Sequence, residues 1–286
     1  MEYLVERSSK RIEVIDLDYI AENIDEEKFS WEKPEVIARP IRKKLRKYQI
    51  EAIDAIIEGF KSNERGKLIM PPGSGKTFVA LKLAERLVGT GGRVLFLCPS
   101  ISLLDQTVRA WLKDSELSLR TFAVVSDKSV GRSTEDDTES LSLLHIPPTT
   151  NSEDLLKSAM YSTPECMTVI FSTYQSVEVI EEAQKRGLPK FDLIICDEAH
   201  RTTGIKIKNE DPSYFQKVHS DDYIKGDKRL YMTATPRIYE PNVKKKLEDF
   251  DVSYYSMDDQ KIFGDTFYEY TFRRAVDEGY LIDYKV

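Results

Sequence analysis

The apolar positions of this chain alternate between short continuous runs and longer amphipathic stretches. From Leu45 to Phe60, the residues Tyr48, Ala52, Ile53, Ile56, Ile57 and Phe60 recur at helical spacing, which predicts an amphipathic helix. A short apolar strand at 67–70 comes next, then a helix over 76–88, a strand Arg93–Cys98, a helix Ser102–Lys113 and a strand Arg120–Val125. A second series gives a strand Thr168–Phe171, a helix Gln175–Lys185, a strand Phe191–Cys196, a polar stretch, and a strand Arg229–Met232. Short β-rich runs separated by helices predict an α/β fold, a mostly parallel sheet with helices on both faces. Ligands of such sheets sit at the carboxyl ends of the strands.

The alternation fails in three places. Residues 1–40 are mixed and polar, punctuated by Pro34 and Pro40, and read as an N-terminal extension or linker. Between Ser126 and Met167 the chain is rich in Ser, Thr, Asp and Pro, too long for an ordinary connection. Within it, Ser152 to Met160 could form one short helix capped by Ser152. The last segment holds an extended run Phe267–Phe272, a helical stretch Arg273–Glu278 and a strand-like end at Tyr284–Val286. The resulting domain reading is an extension at 1–40, a core domain at 41–262 with an insert at 126–165, and the start of a further connection at 263–286.

Composition limits the function classes. With 41% hydrophobic and 32% charged residues among 286, the chain has the make-up of a globular protein with one large domain. No apolar run is long enough to span a membrane, and Met1–Glu6 is no signal peptide. The three cysteines, Cys98, Cys166 and Cys196, are far apart; two lie in strand-like runs, which fits buried thiols in a reducing cytoplasm. A net charge of -7 argues against nucleic-acid binding by the chain as a whole. Local charge weakens that argument, because Arg42 to Lys47 places five positive charges in six residues.

The chemistry begins at Met70-Pro71-Pro72-Gly73-Ser74-Gly75-Lys76-Thr77. A Gly-rich loop between strand and helix points backbone N–H groups at the phosphates of a nucleotide. Gly73 and Gly75 permit the backbone angles, Lys76 reaches the phosphates, and the Thr77 hydroxyl holds Mg²⁺. The formal pattern asks for a further glycine upstream, which Met70 and Pro71 do not supply. The plain structural alternative is a Gly/Pro turn before a helix.

A second acidic motif completes the pattern. The apolar run Leu193–Cys196 delivers Asp197-Glu198-Ala199-His200. Two carboxylates at the end of a buried strand are costly unless they meet a cation or hydrogen bonds. Asp197 is placed to reach a Mg²⁺ shell, and Glu198 to orient and deprotonate the attacking water. His200 could hydrogen-bond toward the γ-phosphate or a neighbouring motif. Thr233-Ala234-Thr235-Pro236 follows the next strand, where small hydroxyl residues could exchange hydrogen bonds with His200 or Asp197, or merely close a turn. Upstream, the carboxamide of Gln49 offers the donor and acceptor that match the N6 and N7 edge of adenine, and Arg46 could stack on the base or touch phosphate.

Together these motifs resemble the superfamily 2 helicases and translocases over residues 40–286. Leu45–Gln49 is similar to their adenine-sensing motif, and Met70–Thr77, Asp197–His200 and Thr233–Pro236 to motifs I, II and III. Phe96–Ser100 through Thr107 is similar to motif Ia. The runs Phe171–Ser176 and Phe191–Gly204 resemble the helicase parts of restriction enzymes, of Type III and of single-polypeptide Type I-like kinds. The resemblance implies a RecA-like P-loop NTPase fold, ATP and Mg²⁺ as ligands, and ATP-driven movement on duplex DNA. It also implies phosphate-backbone contacts from Ser100, Thr107, Thr173 and Arg201, which would carry little sequence information. A complete motor of this family has a second RecA-like domain that supplies arginines to the γ-phosphate. That partner, and nuclease or methyltransferase domains, are expected elsewhere in a parent protein. The isolated chain is therefore expected to bind ATP weakly and to hydrolyse it slowly or not at all. An RNA or DNA-repair helicase domain, and a non-catalytic nucleotide-binding scaffold, are the alternatives.

Overall fold

The computed structural model describes residues 43–125, 146–206, 212–249 and 253–282. The expectations for 1–40, for Arg42, for the first half of the 126–165 insert and for Tyr284–Val286 lie outside them. By its internal contacts the chain divides into Met1–Lys44 and Leu45–Val286, and the second unit carries the architecture that follows.

The elements run α1 (Lys47–Ser62), β1 (Arg65–Ile69), α2 (Lys76–Leu87), β2 (Arg93–Cys98), α3 (Ile101–Asp114) and β3 (Leu119–Val124). After the undescribed stretch come β4 (Pro148–Thr149), α4 (Ser152–Ala159), β5 (Met167–Thr173), a 3-10 turn (Tyr174–Ser176), α5 (Val177–Lys185) and β6 (Phe191–Cys196). A second 3-10 turn (Ala199–Thr202) leads to β7 (Gly204–Lys206), α6 (Tyr214–Lys217) and β8 (Gly226–Thr233). The chain closes with α7 (Pro241–Asp249), β9 (Ser253–Tyr255), α8 (Gln260–Phe263), β10 (Asp265–Glu269) and α9 (Phe272–Asp277).

Among the described residues the main sheet has the order β10-β1-β8-β6-β2-β5-β3-β4, and every pairing in it is parallel. This is the RecA-like α/β arrangement expected from the sequence. The apolar run 94–98 of β2 serves both faces. Val94, Phe96 and Cys98 pack into one core with α1, α2 and α3, while Leu95 and Leu97 pack into the other with α4 and α5. Aromatic edge contacts of Trp111 with Phe96 and Phe171 fasten α3 to the sheet.

Three departures from the sequence reading have local causes. The cap of α4 is Asn151, not Ser152, because the Asn151 side chain accepts the Glu153 N–H at 2.7 Å. The described part of the insert packs on the domain: β4 joins the sheet edge, and Arg93 and Arg120 donate to the carbonyls of Ser158 and Ala159 at the end of α4 and of Met160 and Tyr161 just after it. Most consequential, the segment read as the start of a connection enters this domain's own sheet, where β10 pairs with β1. The pairing is locked by Lys67, whose buried ammonium donates to the carbonyls of Met257 and Gly264 at 2.9 and 2.6 Å. Burial holds this Lys67 below its ordinary pKa.

Candidate functional site

Register brings the motifs to one edge. Ile69 at the end of β1 pairs with Thr233 at the end of β8, Cys196 of β6 pairs with Tyr231 of β8, and Cys98 of β2 pairs with Thr173 of β5. The loop after each strand therefore opens on the same carboxyl-terminal side.

The loop at 70–77 takes its shape from two left-handed glycines, Gly73 at φ 76° and Gly75 at φ 85°. Ser74 folds back on the turn through its hydroxyl, which donates to Pro71 O at 2.6 Å. Gly75 O receives the N–H groups of Phe78 and Val79, so the N–H groups of Lys76 and Thr77 head α2. The Lys76 ammonium reaches back to Met70 O at 3.2 Å, lying across the loop it would share with phosphates.

The loop is tethered to α1. Tyr48 and Gln49 both donate to Ser74 O, at 2.8 and 3.0 Å. Gln49 also accepts the Arg46 N–H at 3.0 Å, which ties down the start of its own helix. Both ends of the carboxamide expected to read adenine are thus engaged inside the chain, though the nitrogen keeps a second hydrogen and the oxygen a second lone pair. Arg46 is exposed, its guanidinium donating to Tyr48 OH at 3.3 Å.

The acidic motif is held as rigidly. Asp197 N–H donates to Leu97 O, and Tyr174 OH donates to Asp197 O at 2.8 Å. Glu198 stands at φ 48°, the one non-glycine residue with positive φ among the described residues. Such strain persists only where the surroundings impose it, and it concentrates at functional sites. His200 Nδ1 lies 3.3 Å from Glu198 Oε2 and 3.1 Å from Thr233 Oγ1. Thr233 in turn accepts the Met70 N–H through its carbonyl at 3.0 Å, and its hydroxyl accepts the Thr235 N–H at 3.2 Å. One threonine therefore touches the phosphate-loop strand end, the acidic motif and its own turn.

Burial pushes the Asp197 carboxyl up to about 6, helped by the neighbouring Glu198 charge and opposed by the Glu198 N–H and by Lys76. A buried carboxylate in that condition is a donor suited to a hard cation, and the Thr77 hydroxyl, in the first turn of α2, is a candidate second oxygen. Among the described residues no group of three or more His, Cys, Asp or Glu side chains forms a protein-only metal cluster. Asp197 and Thr77 are the residues that could hold a Mg²⁺, an ion that commonly takes one or two protein ligands and fills the rest of its shell with phosphate and water.

The four residues expected at a DNA backbone divide. Ser100 is half-buried and caps α3, its hydroxyl accepting the Leu103 N–H, and Arg201 is exposed. Thr107 and Thr173 have their hydroxyls engaged inside the chain. Thr107 is buried and donates its hydroxyl to Leu103 O at 2.8 Å, and Thr173 is buried with its hydroxyl 2.8 Å from Ser176 Oγ. The helical spacing of Ile101, Leu104, Val108 and Trp111 already puts Thr107 on the inner face. Cys98 and Cys196 are buried free thiols, and burial pushes both up, Cys196 to about 12. Of the aromatic side chains nearest the loop tether, Tyr48 lies within the Leu45–Gln49 motif, whereas Tyr270 and Tyr280 carry no motif signal.

Comparison with known proteins settles the family. The family described as "Type III restriction enzyme, res subunit" matches residues 42–238. The chain belongs to this family. It is a superfamily 2 helicase-like domain related to restriction-enzyme helicase subunits. An endonuclease subunit of the Escherichia coli Type I restriction enzyme EcoAI is 28% identical over 85% of this chain and 24% of the relative. A probable helicase of African swine fever virus is 29% identical over 84% of the chain and 24% of the relative. Among solved structures, the ATP-dependent Type ISP restriction-modification enzyme LlaBIII bound to DNA is 43% identical, with a TM-score of 0.73, covering 92% of this chain and 17% of that one. A nuclease-deletion mutant of the Type ISP enzyme LlaGI with a DNA substrate mimic is 42% identical, with a TM-score of 0.64, covering 83% and 21%. This res-type domain spans about a quarter or less of these relatives. No helix of its described residues is long and apolar enough to cross a membrane.

Proposed function

We propose that this domain binds ATP with Mg²⁺ and hydrolyses it to ADP and phosphate to drive movement along duplex DNA, within a restriction-modification or other defence enzyme. The observation that supports this most is the convergence on Thr233. Its carbonyl holds Met70 at the mouth of the phosphate loop, and its hydroxyl meets His200 of the acidic motif. A turn and an acidic strand end without a joint function have no need of such a link.

In this reading the N–H groups of the 73–77 loop cradle the phosphates and Lys76 neutralises them. Glu198 orients a water and takes its proton, with His200 steadying the carboxylate from 3.3 Å. Thr77 and Asp197 would hold Mg²⁺, which would supply neutralisation of phosphate charge. Gln49 reports on the base edge while still bonded to the loop. Thr233 and Thr235 carry changes at the γ-phosphate end to the strand that follows. Ser100 and Arg201 are the two donors left facing outward for a DNA backbone, and such contacts fix position rather than sequence.

The similarity of the domain to DNA-bound LlaBIII, at 43% identity, supports duplex DNA as the track. Because the relatives are several times longer, we attribute efficient turnover to parts of a larger enzyme beyond this domain. The test is ATPase rate with and without duplex DNA, in the chain alone and joined to a relative's following domain. A large DNA stimulation confined to the joined protein is expected. Stimulation by RNA only, or by no nucleic acid, would overturn the reading.

A further inference from the structure

The segment after the family match, beyond residue 238, comes back to the nucleotide loop. Tyr270 stacks flat on Tyr48, with ring centroids 4.2 Å apart and planes 5° apart. Tyr280 meets Tyr48 edge-on at 4.9 Å. The Arg46 guanidinium lies 5.0 Å over the Tyr280 ring. Leu281 comes within 3.5 Å of the point a Cβ on Gly73 would take. A polar clasp fixes this arrangement: Arg274 of α9 bonds Glu51 of α1 at 2.8 Å and Glu278 at 2.7 Å, and Glu51 also accepts from Tyr268 OH.

The juxtaposition has a chemistry of its own. A partly exposed aromatic face, the guanidinium of exposed Arg46 above it and the Gln49 carboxamide lie beside the 70–77 loop. An aromatic ring and a planar cation are the two surfaces that hold a flat base, and an amide reads its edge. We propose that Tyr280 and Arg46 form the stacking half of the base subsite, so that residues of the C-terminal segment bind the nucleotide directly. The base displaces the guanidinium from the Tyr280 face and is then covered by it. This assignment rests on the ATP reading above, and it adds a base-contacting residue from outside the family's matched span.

The experiment titrates the full chain, with Mg²⁺ present, against ATP and against inorganic tripolyphosphate. Tyr280→Ala is expected to weaken ATP about tenfold, the order of one base stacking contact, and to leave tripolyphosphate unchanged. Tyr280→Phe keeps the ring and is expected to restore ATP affinity. Equal weakening of both ligands would mean that Tyr280 only props the loop, and the proposal fails. Unchanged ATP binding in Tyr280→Ala, with binding lost in Lys76→Ala, overturns the proposal and leaves the ATP reading standing. A wild-type chain that binds tripolyphosphate and ATP equally overturns it too, and one that binds neither removes both.

Discussion

Gln49 donates from its side-chain nitrogen to Ser74 O across 3.0 Å, and the same nitrogen stands 2.6 Å from where a Cβ on Gly75 would lie. Helix α1 and the 70–77 loop are thus packed directly against each other at this point. Gly75→Ala is expected to cost about 1–3 kcal/mol, from the left-handed backbone and from expulsion of Gln49. Its ATP affinity should fall as well. In Gly75→Ala/Gln49→Ala the clash is gone, so chemical denaturation should show a combined loss smaller than the sum of the single losses.

Glu198, the base of the proposed reaction, sits on left-handed backbone. Glu198→Gln keeps shape and hydrogen bonding but cannot accept the proton, so the DNA-stimulated rate of a complete motor is expected to collapse with ATP binding retained. Unchanged turnover would remove Glu198 from the role of base. Glu198→Gly should also abolish turnover, yet raise stability by up to about 1 kcal/mol, because glycine occupies φ 48° without strain. A marked fall in its unfolding midpoint would show that the backbone there is not strained.

His219 gives the fold an acid-sensitive side. Its Nε2 faces Thr202 O at 3.0 Å, which can only accept, so Nε2 carries the proton and Nδ1 accepts from Tyr231 OH at 3.1 Å. Burial lowers its pKa to about 3. The unfolded chain takes up this proton near pH 6.5, whereas the native fold resists it. The stabilising contribution is therefore present above about 6.5 and lost as pH falls toward 3, at up to about 1.4 kcal/mol per unit. Asp197, held near 6, acts in the opposite sense between about 4 and 6. Urea unfolding of Asp197→Asn from pH 7 to 5 should show the slope, and the His219 ring should remain neutral by NMR throughout.

Gly264 stands at φ 70°, and a Cβ there would meet Arg65 O at 2.0 Å. Backbone cannot yield as a side chain can, so Gly264→Ala is expected to destabilise by more than about 2 kcal/mol. The loss should centre on β10 and β1, visible as faster amide exchange in both strands. Exchange that rises only in α7 would contradict the role given to this contact.

The phosphate loop, the acidic motif and the strands that carry them were legible because each is written locally: a buried parallel strand is a continuous apolar run, and a loop motif sits at its end. What escaped was set by partners distant in sequence. Nothing near Phe267 states that β10 lies beside β1, and nothing near Tyr280 states that it faces Arg46. Thr107 and Thr173 are buried, Thr107 on the inner face that the helical spacing of Ile101, Leu104, Val108 and Trp111 marks, and Thr173 at the end of a strand buried along its whole length. The cap of α4 shifted by one residue, from Ser152 to Asn151, a choice between two competent side chains that sequence alone leaves open.

The parallel sheet also fixes an order of assembly. The strand that carries the phosphate loop lies between β8 and β10, both of which leave the ribosome well over a hundred residues after it. Until they arrive, β1 has no strand neighbour on either side, and the loop has no Thr233 to hold its mouth. Long-range parallel pairing of this kind is slow and leaves strand edges exposed meanwhile. The 70–77 loop is thus translated well before the strands that brace it, and takes its final surroundings only after them.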